Sequence, residues 1–302
     1  MTALRSLLLG LVDYAGLFPP AALSMEEAAA EYAARRRGPE AFMLGRFVVA
    51  AARLPELALA ASPHIPDSDT AGSWRVSALL GDDLALGLRE VERFNAGDPA
   101  RALVDTVEGR AGTSAATLEL LDAIPRGLTA YVEVATEPDP SSLLAAIAAR
   151  GGRAKVRTGG LSAEAVPEPS ALARFLATCA SLHLPFKATA GLHHPLRAEQ
   201  AFTYAADSPR GVMHGFLNVF AAATLLREGR VDVRGAEGVL LEERPQAFVF
   251  EGDVLRVGEH VLGAREIESA RRNFALSFGS CSVADPLADL TAIGYGPEAA
   301  AA

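Results

Sequence analysis

The chain predicts a (β/α)8 barrel, an α/β fold in which eight parallel strands close into a cylinder inside a ring of helices. Three observations carry that expectation. Short apolar, β-branched runs alternate with alanine- and leucine-rich runs, and eight such strand units fit into 302 residues. Strands that alternate with helices pair in parallel through right-handed crossovers. No glycine-rich phosphate loop follows the first strand, which weakens the runner-up, a doubly wound open sheet. The length suits one large α/β domain, so residues 1–302 are read as a single barrel.

Strands are expected near residues 9–14, 42–49, 75–80, 102–108, 129–135, 153–158, 184–190 and 274–280. Helices fill most of the gaps. Ser24 starts the first, at about 24–36, with Glu27 three residues on, the pairing of a capping box. Further helical runs lie at about 82–95, 114–124, 140–149 and 168–182. Residues 200–265 are too many for one crossover and are read as an insertion between the seventh and eighth strands. That segment holds a helical run from Gly215 to Gly229 and a β-hairpin from Phe248 to Val257, turning at Gly252-Asp253. The tail from Pro297 to Ala302 is expected to be disordered.

Half of the residues are hydrophobic, enough for a sizeable core. The net charge of −9 argues against a nucleic-acid partner, because a phosphate backbone calls for a basic surface. Cys179 and Cys281 have no metal-ligand spacing and form no disulfide framework, so a reducing, cytoplasmic setting is expected. The apolar N-terminus carries only Arg5 and lacks a cleavage signature, and no run of about 18 apolar residues suggests a membrane span. Exposed barrel faces and the hairpin are compatible with a homodimer.

Against this background the basic residues stand out: 26 arginines and two lysines. Lys155 lies in Arg153-Ala-Lys-Val-Arg-Thr-Gly-Gly160 and Lys187 in Pro185-Phe-Lys-Ala-Thr-Ala-Gly191, each a strand-like segment ending in glycine. A guanidinium stays charged, whereas a buried lysine can lose its proton and attack a carbonyl. The plain alternative is survival by chance in an arginine-biased composition. In a barrel, reactive groups stand at the C-terminal strand ends. Alternation puts Lys155 and Arg157 on one face, and Lys187 takes the matching place one strand later. Two ammoniums so close would disfavour each other's protonation, so one lysine is expected to be partly neutral. Asp105, in Leu103-Val-Asp-Thr-Val-Glu108, is the expected proton carrier, with a structural counter-ion to Lys155 or Arg157 as the other reading.

The order of these pieces resembles the deoxyribose-phosphate aldolase family of class I aldolases. The likeness rests on Lys155-x-x-Thr-Gly, on Lys187-Ala-x-x-Gly 32 residues later, on Val104-Asp105-Thr-Val, and on Phe278-Gly-Ser-Cys-Ser282. Leu11-Val-Asp-Tyr-Ala-Gly-Leu17 and Gly45-Arg-Phe47 followed by Ala52-Arg53 add weaker echoes. The resemblance implies a Schiff base on Lys155, tuning by Lys187, proton relay by Asp105, and a phosphate held at Gly279–Ser282. Three departures bear on substrate. Arg157 stands where the family has a small hydroxyl residue, Ala190 replaces a glycine, and the long insertion is no family feature. Arg157 could bind a carboxylate directly.

Gly191-Leu-His-His-Pro195 puts His193 and His194 just past the Lys187 strand. One is expected to contact substrate, and His193 is the candidate for moving protons. Gly279, Ser280 and Ser282, ahead of a helix start after Pro286, could form an anion nest, with backbone donors from Gly159, Gly160 and Gly191. A tight turn is the simpler use of those glycines. The expected function is therefore an aldolase-like carbon–carbon lyase that acts on a small anionic carbonyl compound, a phosphate or carboxylate, with no cofactor and no metal. Two alternatives remain open. One is a metal-dependent hydrolase or isomerase using His193, His194, His214 and carboxylates. The other is a barrel that binds an anionic metabolite without catalysis.

Overall fold

The computed structural model describes residues 1–65, 73–98 and 101–296, so the tail expected to be disordered lies outside the described residues. Eight parallel strands close into a barrel. They are β1 (Val12–Tyr14), β2 (Leu44–Ala50), β3 (Trp74–Leu79), β4 (Ala102–Arg110), β5 (Thr129–Val134), β6 (Arg153–Arg157), β7 (Phe186–Thr189) and a last strand at Ala275–Ser280. The first and last strands pair, Val12 with Phe278 and Tyr14 with Ser280, which closes the cylinder. All eight expected strands are present, each within a few residues.

The helices between them are short and amphipathic or alanine-rich. They follow α1 (Ala3–Leu8) as α2 (Met25–Arg37), α3 (Leu54–Ala61), α4 (Leu84–Asn95), α5 (Ser114–Ala123), α6 (Ser141–Ala149) and α7 (Pro169–Ser181). Ser24 and Glu27 make the expected reciprocal cap of α2, at 3.2 and 2.9 Å. The first strand starts at Val12, later than the expected residue 9, and α1, which the sequence reading did not expect, precedes it. Arg271 reaches the carbonyls of Leu7 and Leu9 and those of Ala275 and Leu276, tying α1 to the start of the last strand.

Between β7 and the last strand come β8 (Ala198–Ala201) and β9 (Arg210–Met213), an antiparallel pair, then α8 (Phe216–Arg227) and α9 (Val233–Leu241). The expected hairpin follows as β10 (Phe248–Glu251) and β11 (Val254–Val257), to which β12 (His260–Gly263) adds a third strand. α10 (Ala264–Asn273) then leads into the last strand, β13, and α11 (Ala284–Ala292) ends the described chain. α8 is buried almost throughout, because Phe216 and Phe220 pack on Phe278 of β13 while α9 covers its outer side. Strand side chains alternate, so Tyr14, Phe47, Trp74, Phe186 and Phe278 point outward into the layer between strands and helices. Among the described residues no helix is long and apolar enough to cross a membrane.

Candidate active site

The other parity of each strand points inward, and there the barrel departs from the branched apolar layers that usually fill such interiors. Its middle layer is ionic. Lys155 on β6 pairs across the strands with Lys187 on β7 and with Glu133 on β5. Lys187 Nζ lies 2.6 Å from Asp13 Oδ2 and 2.8 Å from Glu108 Oε1. Lys155 Nζ lies 2.7 Å from Glu108 Oε2 and 2.9 Å from Glu133 Oε2. Glu108 therefore bridges both amines. The Ser77 hydroxyl donates to Glu108 at 2.6 Å and the Ser277 hydroxyl to Asp13 at 2.8 Å, and the Arg46 backbone N–H donates to Asp13 at 2.9 Å. Buried charges persist when paired and hydrogen-bonded, and these are.

One layer nearer the mouth, Arg110 and Arg157 share Glu133 Oε1, at 3.0 and 3.6 Å. Three carboxylates thus face two ammoniums and two guanidiniums, leaving one positive charge in excess. Above them opens a cavity of about 710 Å³, lined by both lysines, Glu108, Glu133, both arginines and His193, with Phe18, Pro19, Leu161, Phe202 and Met213 as apolar walls.

The expected mutual repulsion of the lysines is corrected by Glu108 between them. Burial alone would lower the Lys187 pKa, but the carboxylates of Asp13 and Glu108 outweigh it and hold the amine above its ordinary value, so Lys187 is charged. Lys187 also sits 5.4 Å from the centre of the Tyr131 ring. Burial alone would raise the Glu108 carboxyl, yet Lys155 and Lys187 pull it well below the usual glutamate range. Glu133 is drawn down in the same way by Lys155, Arg157 and Arg110, against its burial.

Asp105 is not brought to the lysines. It lies lower in the barrel, held by Arg46 at 2.7 and 3.0 Å and by Arg75 at 3.5 Å. The register slips between Thr106 and Val104, so Asp105 sits at an irregularity of β4, and Glu108, three residues on, reaches the amines. The position that sequence reasoning missed is thus Glu108. It stands nearer the C-terminal end of its strand, where barrel chemistry collects, but the register slip that sets its depth leaves no mark in the sequence.

His193 and His194 diverge, as adjacent residues do. His193 Nδ1 is 3.4 Å from the Ser280 hydroxyl and 3.9 Å from Asp285, while His194 Nδ1 contacts Asp289. Burial lowers the His193 pKa despite Asp285, which favours the neutral ring at pH 7. His214 is elsewhere, bonded to the Pro167 carbonyl at 2.8 Å. Among the described residues no group of three or more His, Cys, Asp or Glu side chains is arranged to hold a metal ion.

The glycines permit close packing. A Cβ on Gly159 would lie 2.8 Å from Gly191 Cα, and Gly191 has φ +79°, so these two backbones touch where the strands carrying the lysines end. A Cβ on Gly160 would press on Ala165 at 2.6 Å. Ala190 is itself left-handed at φ 58°, a conformation that costs a non-glycine residue energy. Near Gly279, whose site for a Cβ faces the Thr189 hydroxyl at 3.2 Å, two N–H groups of the expected anion nest turn to side chains of the same segment. The Ser282 N–H donates to Ser280 Oγ at 3.3 Å, the Ser280 hydroxyl donates to the Ser282 carbonyl at 2.7 Å, and the Asp285 N–H donates to Ser282 Oγ at 3.2 Å.

The fold is a closed parallel barrel, an architecture common among enzymes, and its interior is an ionic centre under an open mouth. Comparison with protein-family models, with curated proteins and with solved structures gives no match to this chain.

Proposed function

We propose that this barrel is a carbon–carbon lyase of the class I aldolase type that works on a small carbonyl compound through an imine on Lys155. The observation that carries the reading is one buried carboxylate, Glu108, shared by two amines at the floor of a cavity. Lys155 is the nucleophile because it is the less enclosed amine, 6% exposed against 1% for Lys187. Glu108 takes the proton that Lys155 must shed, the free amine adds to the carbonyl carbon and passes a second N–H proton to the carbonyl oxygen, and Glu108 returns the first proton as that hydroxyl leaves as water. The resulting iminium stays beside a carboxylate, which stabilises its charge. The electrons of the breaking carbon–carbon bond then flow into the iminium, and the hydroxyl of the departing fragment gives its proton to neutral His193. Protonation of the enamine and hydrolysis free Lys155. Lys187 remains a fixed positive charge that anchors Glu108 and Asp13.

The likeness to deoxyribose-phosphate aldolases in the spacing of the two lysines supports the same reading, with Glu108 in the proton-carrying role that the resemblance assigned to Asp105. Borohydride trapping tests it. The protein is incubated with small aldehydes, ketones and oxo acids, reduced, digested and mapped by mass spectrometry. A substrate-sized adduct on Lys155 is expected. An adduct on Lys187 would exchange the roles of the two amines, and no adduct on either would refute the imine.

A further inference from the structure

The two walls of the cavity carry opposite charge. On one side Arg110 and Arg157 stand at the ends of β4 and β6, their side chains 71% and 45% exposed. Both lean on the same oxygen of Glu133, whose other oxygen is taken by Lys155. A guanidinium has five N–H donors, so two of them on one carboxylate oxygen leave most of their donors facing the mouth. A carboxylate arriving there would meet a two-pronged, charge-assisted site. Arg157 lies two residues beyond Lys155 on the same strand, about 7 Å along it at the usual rise.

The facing wall, at the start of α11, is where barrels of this kind commonly hold phosphate. Here two of its backbone donors are occupied. The N–H groups of Ser282 and Asp285 are already bonded to Ser280 and Ser282. The same wall presents the carboxylates of Asp285 and Asp289 to the cavity, and Tyr204 donates to Asp285 at 2.7 Å. A dianionic phosphate there would face the carboxylates of Asp285 and Asp289, the second of them in contact with His194.

The geometry points to a short oxo acid as the substrate: a carboxylate on Arg110 and Arg157, the carbonyl on Lys155, and a far end that is uncharged and not phosphorylated. For the carbonyl's position this rests on the imine reading; for the anion's position it does not. Two experiments separate these. In the first, reductive trapping is run with pyruvate, acetaldehyde and glyceraldehyde 3-phosphate on the wild type and on the R110Q/R157Q variant. Pyruvate is expected to label Lys155 at least tenfold better than the phosphorylated aldehyde. The ratio of pyruvate to acetaldehyde labelling should fall about tenfold or more in the variant, the usual scale for a lost charged hydrogen bond. Better labelling by the phosphate, or an unchanged ratio, overturns the inference.

In the second, calorimetry measures malonate and inorganic phosphate binding without imine chemistry. If no carbonyl compound labels Lys155, the imine reading fails and this measurement alone decides the anion site. Malonate should bind more tightly than phosphate and weaken about tenfold or more in R110Q/R157Q. Equal or reversed preference overturns the inference. The D285N/D289N variant should bind phosphate more tightly than the wild type, and no gain would overturn the role of the acidic wall.

Discussion

Replacing Glu108 with glutamine keeps the shape of the side chain and removes the charge that two buried amines share. Lys187 keeps Asp13 at 2.6 Å and Lys155 keeps Glu133 at 2.9 Å, so neither ammonium is left alone. Each nevertheless loses a contact shorter than 3 Å in a site only a few per cent exposed. Breaking a buried pair by removing one partner typically costs about 3–5 kcal/mol. For a chain of this size that corresponds to a fall in Tm of about 5–8 °C. The cost should depend on pH. The folded pKa of Glu108 lies below its unfolded value, so its contribution is fully present above the unfolded pKa of about 4.3 and is lost as pH falls toward the folded one. Thermal melts followed by circular dichroism at pH 7 and at pH 3.5 should show a gap between the wild type and E108Q that narrows in acid. A Tm for E108Q within about 1 °C of the wild type, a small fraction of the expected shift, would refute the argument. So would a gap indifferent to pH.

The wild type should also lose stability above about pH 10.4, because the raised folded pKa of Lys187 gives a contribution that is present below the unfolded value and disappears as pH rises through the folded one; alkaline melts that stay flat to pH 11.5 would contradict it. Asp105→Asn should cost about 1–2 kcal/mol, since its pair with Arg46 is partly exposed, and should leave borohydride labelling of Lys155 intact; a labelling loss of about 100-fold, more than a lost charged hydrogen bond explains, would return Asp105 to the chemistry. Gly159→Ala should destabilise by about 1–3 kcal/mol in urea, because the added Cβ meets backbone at Gly191 that cannot turn aside; a neutral substitution would disprove that contact. Arg271→Met should cost about 3 kcal/mol or more by leaving four carbonyls without their shared donor, and a loss under about 1 kcal/mol would refute that role.

The barrel was legible because its strands differ from its helices in composition and recur at regular spacing. The lysines were legible because the chain so seldom uses that residue. What could not be read was depth within the barrel. Asp105 and Glu108 share one strand and carry the same charge, and only the slip in register at Asp105 decides which reaches the amines. Asp13 stands in the first strand and Lys187 in the seventh, 174 residues apart, a meeting that no local pattern encodes. The glycines after β6 and β7 read as donors for an anion because a glycine-rich strand end looks the same whether it cradles a ligand or another backbone. The region of α10 and the third strand of the outer sheet went unread because short amphipathic segments give weak periodic signals.

The ionic interior has a consequence for how the chain is made. Asp13 reaches Lys187 across the gap that β13 fills, and Ser277 of that last strand completes the arrangement. During synthesis the first seven strands emerge before the eighth, so any sheet that forms before closure has its concave side uncovered. In most barrels that side would be a sheet of branched aliphatic residues, adhesive to any neighbour. Here it presents paired charges that water solvates readily. An open sheet at that stage would therefore offer no greasy inner surface for misassembly.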